Sequence, residues 1–328
     1  MNSWTRPDFA YNIRQRPMTN KPLARGGAKP LRQASDRMKV LVGVRSFKQA
    51  EFFLTRGADE VYCGLLDIPN HGMRAENFSG VDELHRTVEF AHSLGKKAFL
   101  VANDVFPAAA FDEAAGKVEA LLEGGMDGVI IRDLAVLDHF KRRGMDAYFV
   151  LSTLGLCFNA TTLKFFKERG ISRIVLPQQL TPDEARPMFD RKLGLDIEMF
   201  CLPLFYEINL NALCSLSCPC SQEIVPGKEP PKYTCLSAIR CEGGSYSMPM
   251  PDTGTLLGYF YDFYHMGANC MKVARGPNAS EVVELFFKSV YLAKLLEKGL
   301  SREGFLFEGK RICASAQNYG KRYIVQHL

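Results

Sequence analysis

From Lys39 onward, short runs of β-branched and apolar residues alternate with longer stretches whose apolar positions recur every three or four residues. That alternation is the pattern of strand followed by helix. Eight runs read as strands: KVLVGV from Lys39, DEVYCG from Asp59, KAFLVAN from Lys97, DGVIIRD from Asp127, AYFVLS from Ala147, RIVLP from Arg173, DIEMFCL from Asp196 and NCMKVAR from Asn269. Between them SFKQAEFFLTRG, VDELHRTVEFAHSLG, FDEAAGKVEALLEGG, TTLKFFKERG and TPDEARPMFDRKLG read as helices, several closed by the Gly expected after a helix C-terminus. Ser46, Asp133 and Thr181 are placed as N-caps, and Thr181 with Glu184 three residues on fits a capping box. The aromatic run LLGYFYDFYHMG predicts a helix that covers the sheet before the last strand, not a platform for stacking bases.

Eight strand–helix units predict an α/β fold, a (β/α)8 TIM-like barrel occupying residues 39–328 as one domain. An open doubly wound sheet is disfavoured, because no GxGxxG or Walker sequence follows any strand. In such a barrel the loops leaving the strand C-termini form the working face. Two of these are long: Leu65 to Gly80 after the second strand, and an insertion at residues 202–253 after the seventh. The insertion lacks regular periodicity and is too long for a bare connection, so it is expected to be a lid or a site.

Composition places the chain among soluble globular proteins, with 328 residues, 47% hydrophobic and 23% charged. No run of eighteen apolar residues predicts a membrane span, no continuous apolar segment near the N-terminus predicts a secretory signal, and the chain is expected to be cytoplasmic. The net charge of +5 is local. Residues 1–38 hold eight Lys or Arg against Asp8 and Asp36, which leaves the remainder at −1. With Pro7, Pro17, Pro22 and Pro30 and no apolar period, that segment reads as a basic, disordered extension. It could be an RNA-touching arm, a transit peptide, or a plain extension ahead of a start at Met38. Without a basic face in the folded part, nucleic acid is a conceivable partner but not the favoured one.

Ten cysteines in a reducing compartment do not suggest a disulfide framework. Cys63 and Cys270 fall in strands, Cys157 at a turn and Cys313 near the C-terminus, where burial explains them; Cys201 opens the insertion. Five others, Cys214, Cys218, Cys220, Cys235 and Cys241, lie inside the insertion, where thiols would be exposed unless a metal held them and ordered the loop. Four thiolates suit either zinc or an iron–sulfur cluster. The spacing, C-x3-C-x-C followed later by C-x5-C, has no CxxC knuckle and no histidine nearby. That favours a 4Fe-4S cluster, with zinc as the alternative.

The segments GADEVYCGLLDIPNHGMRAENFS, VLSTLGLCFNATTLKFFKERGISRIVLPQQLTPDEA and MGANCMKVARG resemble the peptidase U32 (collagenase-like) family from Lys39 to about Leu292. In the second-strand loop the likeness is to its anaerobic ubiquinone-hydroxylation subunits. The resemblance implies a 4Fe-4S cluster on cysteines of the insertion and oxygen-independent hydroxylation of a ubiquinone-precursor-like substrate, with prephenate as hydroxyl donor. RNA-base hydroxylation of tRNA or rRNA, a U32-type peptidase, and a non-catalytic scaffold in a heterodimer with a related U32-type chain are the alternatives. It places Cys214 and Cys220 on or near two cluster positions and leaves Cys235 and Cys241 for the others, with Cys218 able to replace one. Glu198, Phe200 and Lys272 match family positions, while CLPLFYEINLNALC replaces the family's Gly/Cys turn, Ala274 stands at its Glu and Arg275 is displaced.

Asn103 and Asp133 end the third and fourth predicted strands, Ser152 and Asn159 flank the fifth, and Lys272 and Arg275 end the eighth, so all would face one mouth. Lys272 and Arg275 beside polar groups would suit a small carboxylate such as prephenate, whereas capping is the alternative role for Asn103, Asp133 and Ser152. His71, Arg74 and Asn77 in the second-strand loop could line the same site; His85, His92 and His139 are expected to serve surface or packing roles.

Overall fold

The computed structural model describes residues 37–72, 74–190, 193–200, 202, 238–241, 244–247, 251–275 and 279–315. Eight strands make the barrel: β1 (Lys39–Val44), β2 (Glu60–Leu65), β3 (Lys97–Ala102), β4 (Gly128–Ile131), β5 (Phe149–Leu151), β6 (Ile171–Val175), β7 (Asp196–Phe200) and β8 (Cys270–Val273). Each pairs in parallel with the next, and β1 pairs with both β2 and β8, so the sheet closes on itself. Leu41 is opposite Glu60 on one side and Lys272 on the other. The predicted (β/α)8 barrel is therefore the observed architecture.

Helices alternate with the strands as the pattern predicts: α1 (Phe47–Leu54), α2 (Val81–Ser93), α3 (Phe111–Glu123), α4 (Leu134–Arg142), α5 (Ala160–Glu168) and α6 (Pro182–Ala185). Side-chain oxygens of Ser46, Asp133, Asn159 and Thr181 accept backbone N–H bonds at the starts of α1, α4, α5 and α6, and Thr181 with Glu184 forms the complete capping box. The TPDEARPMFDRKLG segment departs from expectation. Its α-helix ends after one turn and continues as a 3-10 turn over Arg186–Phe189, because Pro187 has no N–H to give and its ring crowds the preceding turn. Beyond the insertion come α7 (Thr253–Met266), α8 (Ala279–Leu296) and α9 (Arg302–Ser315).

Alternation along the strands creates two cores. Val61 and Cys63 point outward into the large layer beneath the helices, together with residues such as Val42, Leu100 and Ile174. Tyr62 points inward with Leu41, Phe99, Val101, Ile130, Val150, Val175 and Cys270 to fill the barrel. Several elements were not predicted, among them α9 and two pieces of sheet. A two-residue strand, Asn77–Phe78, pairs with the end of β2, and an antiparallel hairpin, Ala238–Cys241 with Gly244–Ser247, lies in the insertion. No helix among the described residues is long and apolar enough to cross a membrane. The predicted extension at 1–38 falls almost entirely outside the described residues.

Two glycines give opposite tests of this packing. A Cβ on Gly128 would lie 2.2 Å from the Tyr148 carbonyl oxygen, whereas one on Gly116, on the exposed face of α3, would meet nothing within 4 Å. Gly128→Ala is expected to destabilise by about 1–3 kcal/mol through backbone displacement. Gly116→Ala should stabilise by about 0.5–1 kcal/mol through reduced chain entropy. Urea denaturation of the two variants should move the midpoint in opposite directions.

Candidate functional site

The inward parity that places Tyr62 in the barrel also brings Glu60, Arg173, Glu198 and Lys272 inside, from β2, β6, β7 and β8. Arg173 stands between two carboxylates. Its Nη1 donates to Glu60 Oε2 at 2.6 Å and Glu198 Oε2 at 3.1 Å, and its Nη2 donates to Glu60 Oε1 at 3.0 Å. The guanidinium also lies 4.9 Å from the Phe99 ring centroid and 5.3 Å from that of Tyr148. The other oxygen of Glu198 accepts from Lys272 Nζ at 2.9 Å. Towards the N-terminal end of the strands, Lys39 Nζ lies 3.8 Å from Glu60 and 3.9 Å from Asp196, whose carboxylate also accepts bonds from Tyr148 and Asn269. Three cations and three carboxylates thus run through the barrel from its base to Lys272, near the mouth.

Arg173, Glu60 and Glu198 side chains are 2%, 3% and 0% exposed, so each charge depends on its partners. Burial alone would raise the carboxyl pKa of Glu198, yet the Lys272 and Arg173 charges and their hydrogen bonds outweigh it and hold the group below the usual carboxylate range. Asp196 is held low in the same manner, against burial, by hydrogen bonds from Tyr148 and Asn269 and the charges of Lys39 and Arg173.

Above this network Tyr62 forms a wall shared by two cations. Lys272 Nζ is 4.0 Å from its ring centroid, and its hydroxyl donates to Val273 O and accepts from Arg275 N. Burial keeps this phenol protonated. The Arg275 side chain runs into the loop after β2, where Nη1 donates to Glu76 O and Asn77 Oδ1 and Nη2 to Asn70 Oδ1. Glycines make room for it: a Cβ would stand 2.1 Å from Arg275 Cγ at Gly43 and 2.4 Å from Nη2 at Gly72. Arg275 therefore anchors the loop, a role that sequence reading did not assign to it.

On the opposite side of the mouth, Asn103 Nδ2 donates to Ser152 Oγ at 3.2 Å and Asn103 Oδ1 accepts from His71 N at 3.0 Å. Ser152 Oγ also accepts from Leu154 N. Asp133 caps α4 through Oδ1 and accepts from Phe106 N through Oδ2, so both its oxygens hold local backbone. Asn159 likewise caps α5. Lys272, Arg275 and Tyr62 form one group and Asn103, Ser152 and His71 another, with Arg275 and His71 meeting in the second-strand loop.

Of the proposed cluster ligands, Cys214, Cys218, Cys220 and Cys235 lie outside the described residues, and Cys241 ends the first strand of the insertion hairpin. Among the described residues no group of three or more His, Cys, Asp or Glu could hold a metal. Cys63, Cys157 and Cys270 are buried, and burial pushes the Cys63 and Cys157 thiols up to about 12, so they are inert small apolar residues.

Glu60 and Arg173 were missed as functional residues. The available signal was a charged residue at inward parity within an apolar strand. A predicted start for β6 at Arg173 rather than Ile171 hid it.

A family model described as peptidase family U32 matches residues 45–218. Among curated proteins, tRNA hydroxylation protein P of Escherichia coli strain K12 is 25% identical over 220 residues, covering 65% of this chain and 45% of that one. tRNA hydroxylation protein P1 of Bacillus subtilis strain 168 is 30% identical over 146 residues, covering 44% and 33%. A collagenase of Porphyromonas gingivalis strain W83 is 24% identical over 156 residues, covering 46% and 36%. The chain spans less than half the length of these relatives in each match. A solved U32 peptidase superposes with TM-score 0.42 at 11% identity, covering 51% of this chain and 70% of that one.

The interior network generates a stability prediction. Arg173→Met leaves Glu60 and Glu198 buried without their shared cation and should destabilise by about 3–5 kcal/mol, read from the denaturant midpoint. Because Glu198 and Asp196 have folded pKa values below their unfolded ones, the unfolded state binds more protons in acid. Their stabilisation should be complete above about pH 5 and lost as pH falls through the folded values. Glu198→Gln should flatten that acid dependence.

Proposed function

We propose that this chain, which belongs to peptidase family U32, hydroxylates a base of tRNA at the barrel mouth lined by Lys272, Asn103 and Ser152. The observation that carries the reading is the match over 65% of the chain to a protein named for tRNA hydroxylation, repeated in relatives from two further bacteria. These relatives move the preference from a ubiquinone precursor to tRNA, which sequence reading held as an alternative.

Prephenate, by the family resemblance, is the hydroxyl donor and not the group hydroxylated, so it does not choose between the two acceptors; its two carboxylates would call for cations with charge to offer. Here Lys272 is paired with Glu198 and Arg132 with Asp104 at 3.1 Å, and the Arg275 guanidinium is bonded into the loop. What the mouth presents is directional: the remaining N–H donors of Lys272 and the amide and hydroxyl of Asn103 and Ser152. A nucleobase edge is a pattern of neutral donors and acceptors, and such groups read it. The peptidase reading has less support, since Ser152 pairs with Asn103 and a backbone N–H rather than with an imidazole.

A 4Fe-4S cluster held by four of Cys214, Cys218, Cys220, Cys235 and Cys241 fits a donor set of thiolates without histidine, and when bound it would supply the one-electron chemistry an oxygen-independent hydroxylation needs. The chain's own residues orient the base: Lys272 is fixed by Glu198, and Glu198 by Arg173.

Nucleosides from bulk tRNA of cells lacking this chain should lose one species that is a single oxygen heavier than its parent. Wild-type chain should restore it, whereas Cys214→Ser and Lys272→Ala should not. Anaerobically purified protein should be brown, with about four irons per chain. An unchanged nucleoside profile would remove the tRNA reading, and a colourless protein with one zinc would remove the cluster.

A further inference from the structure

Strand alternation brings Asn103 and Ser152 together inside the mouth. Ala102 and Leu151 face the outer layer, whereas Val101 and Val150 face the barrel interior. The next residue along each strand, Asn103 after β3 and Ser152 after β5, therefore returns to the inside. Ser152 is still extended, at φ −60° and ψ 152°, and its N–H continues the ladder by donating to Ile131 O. The bond from Asn103 Nδ2 to Ser152 Oγ, 3.2 Å long, joins the two side chains past β4, the strand between them.

A backbone N–H fixes which way this pair points. The Asn103 atom that meets His71 N–H at 3.0 Å must be an acceptor, because a backbone N–H can only donate; it is therefore Oδ1, and Nδ2 is turned towards Ser152. Ser152 Oγ accepts from that amide, and it accepts again from Leu154 N at 3.3 Å. Its two lone pairs are then taken by N–H groups, and what remains is the hydroxyl hydrogen, which can only be donated. No acceptor for it occurs among the described residues. Ser152 is 3% exposed, so bulk water has little access to it. A buried O–H without an acceptor is costly, and a ligand atom that accepts from it removes that cost.

We propose that Ser152 is a specificity-determining residue of the mouth, its hydroxyl donating to a ring carbonyl oxygen of the bound base at the position where cytosine and adenine carry an amino group. An amino group there would set hydrogen against hydrogen and leave the Ser152 O–H unmet, so the residue selects by rejecting as well as by binding. The inference rests on the reading of the mouth as the place where a base is bound, and its test separates the two.

Asn103→Asp separates this role from a merely structural one. Its carboxylate still accepts from His71 N–H but presents an oxygen where Nδ2 stood, so the Ser152 hydroxyl turns to it and is withdrawn from the ligand. The bond between the two residues survives, and the urea midpoint should be unchanged or higher. In cells complemented for tRNA hydroxylation, Asn103→Asp and Ser152→Ala should each lower the oxidised nucleoside by about tenfold or more, and the double variant should fall no further than Ser152→Ala alone. A lowered midpoint for Asn103→Asp, wild-type yield in either single variant, or a double variant below Ser152→Ala overturns the proposal. The purified full chain with labelled asparagine gives a second readout, with Asn103→Asp identifying the Asn103 side-chain amide signal by NMR. Uridine and guanosine should move that signal at concentrations about tenfold lower than cytidine and adenosine, and Ser152→Ala should abolish the difference. Four equal responses, or none, overturn the proposal. If wild-type chain itself restores no nucleoside in cells, the tRNA reading fails and the titration still decides Ser152.

Discussion

The barrel interior is organised around the pairing of Arg173 with Glu60 and Glu198. Taking a guanidinium and two carboxylates out of water costs several kcal/mol per ion, and only close, well-directed bonds offset that cost. The requirement constrains the whole sheet. Glu60, Arg173 and Glu198 come from β2, β6 and β7, so strands on opposite sides of the barrel must face one another at one height. A one-residue slip in any of them would turn its charge outward into the apolar layer beneath the helices. The network therefore acts on register as well as on stability, and it delivers Lys272 to the floor of the mouth already fixed by Glu198.

The rim follows a second constraint, the passage of Arg275 from the end of β8 into the loop after β2. Tyr62 receives its backbone N–H, Asn70, Asn77 and Glu76 receive its guanidinium, and Gly43 and Gly72 leave the space it occupies. A loop of this length would ordinarily be mobile, because loops bury little and hydrogen-bond to water. Here a long, always-charged side chain fastens it to the barrel. The consequence is positional: the backbone at His71 is held between two strand ends instead of on a free tip.

The period of strand and helix was legible because each barrel strand is buried on both faces and each helix on one, and those two environments leave different spacings of apolar residues. N-caps were legible for the same local reason, as Ser46, Asp133 and Thr181 bond to N–H groups two or three residues away. Arg275 was placed correctly at the mouth but not in its role, since its partners lie about two hundred residues earlier and no local pattern reports them. Arg173 was lost for another reason. The polar pair Ser172–Arg173 interrupts the apolar run, so the strand reads as starting at the very residue that occupies the barrel interior. Pro187, by contrast, is a local signal: its missing N–H ends the helix after Thr181 within one turn.

The charge balance of the interior bears on which ligands the mouth can select. With Lys39, Arg173 and Lys272 matched by Glu60, Asp196 and Glu198, the barrel floor has little net field to offer an anion. Arg132 at the rim is likewise matched by Asp104. Selection then depends on hydrogen bonds whose directions are set in advance, which discriminate by penalising a ligand that leaves a buried donor or acceptor unmet. A mouth of this kind suits the edge of a planar, neutral, hydrogen-bonding ring better than it suits an anion. Under the proposed tRNA reading, affinity for the polyanion would have to come from surfaces outside the mouth, where the phosphates lie, and base selection from the mouth.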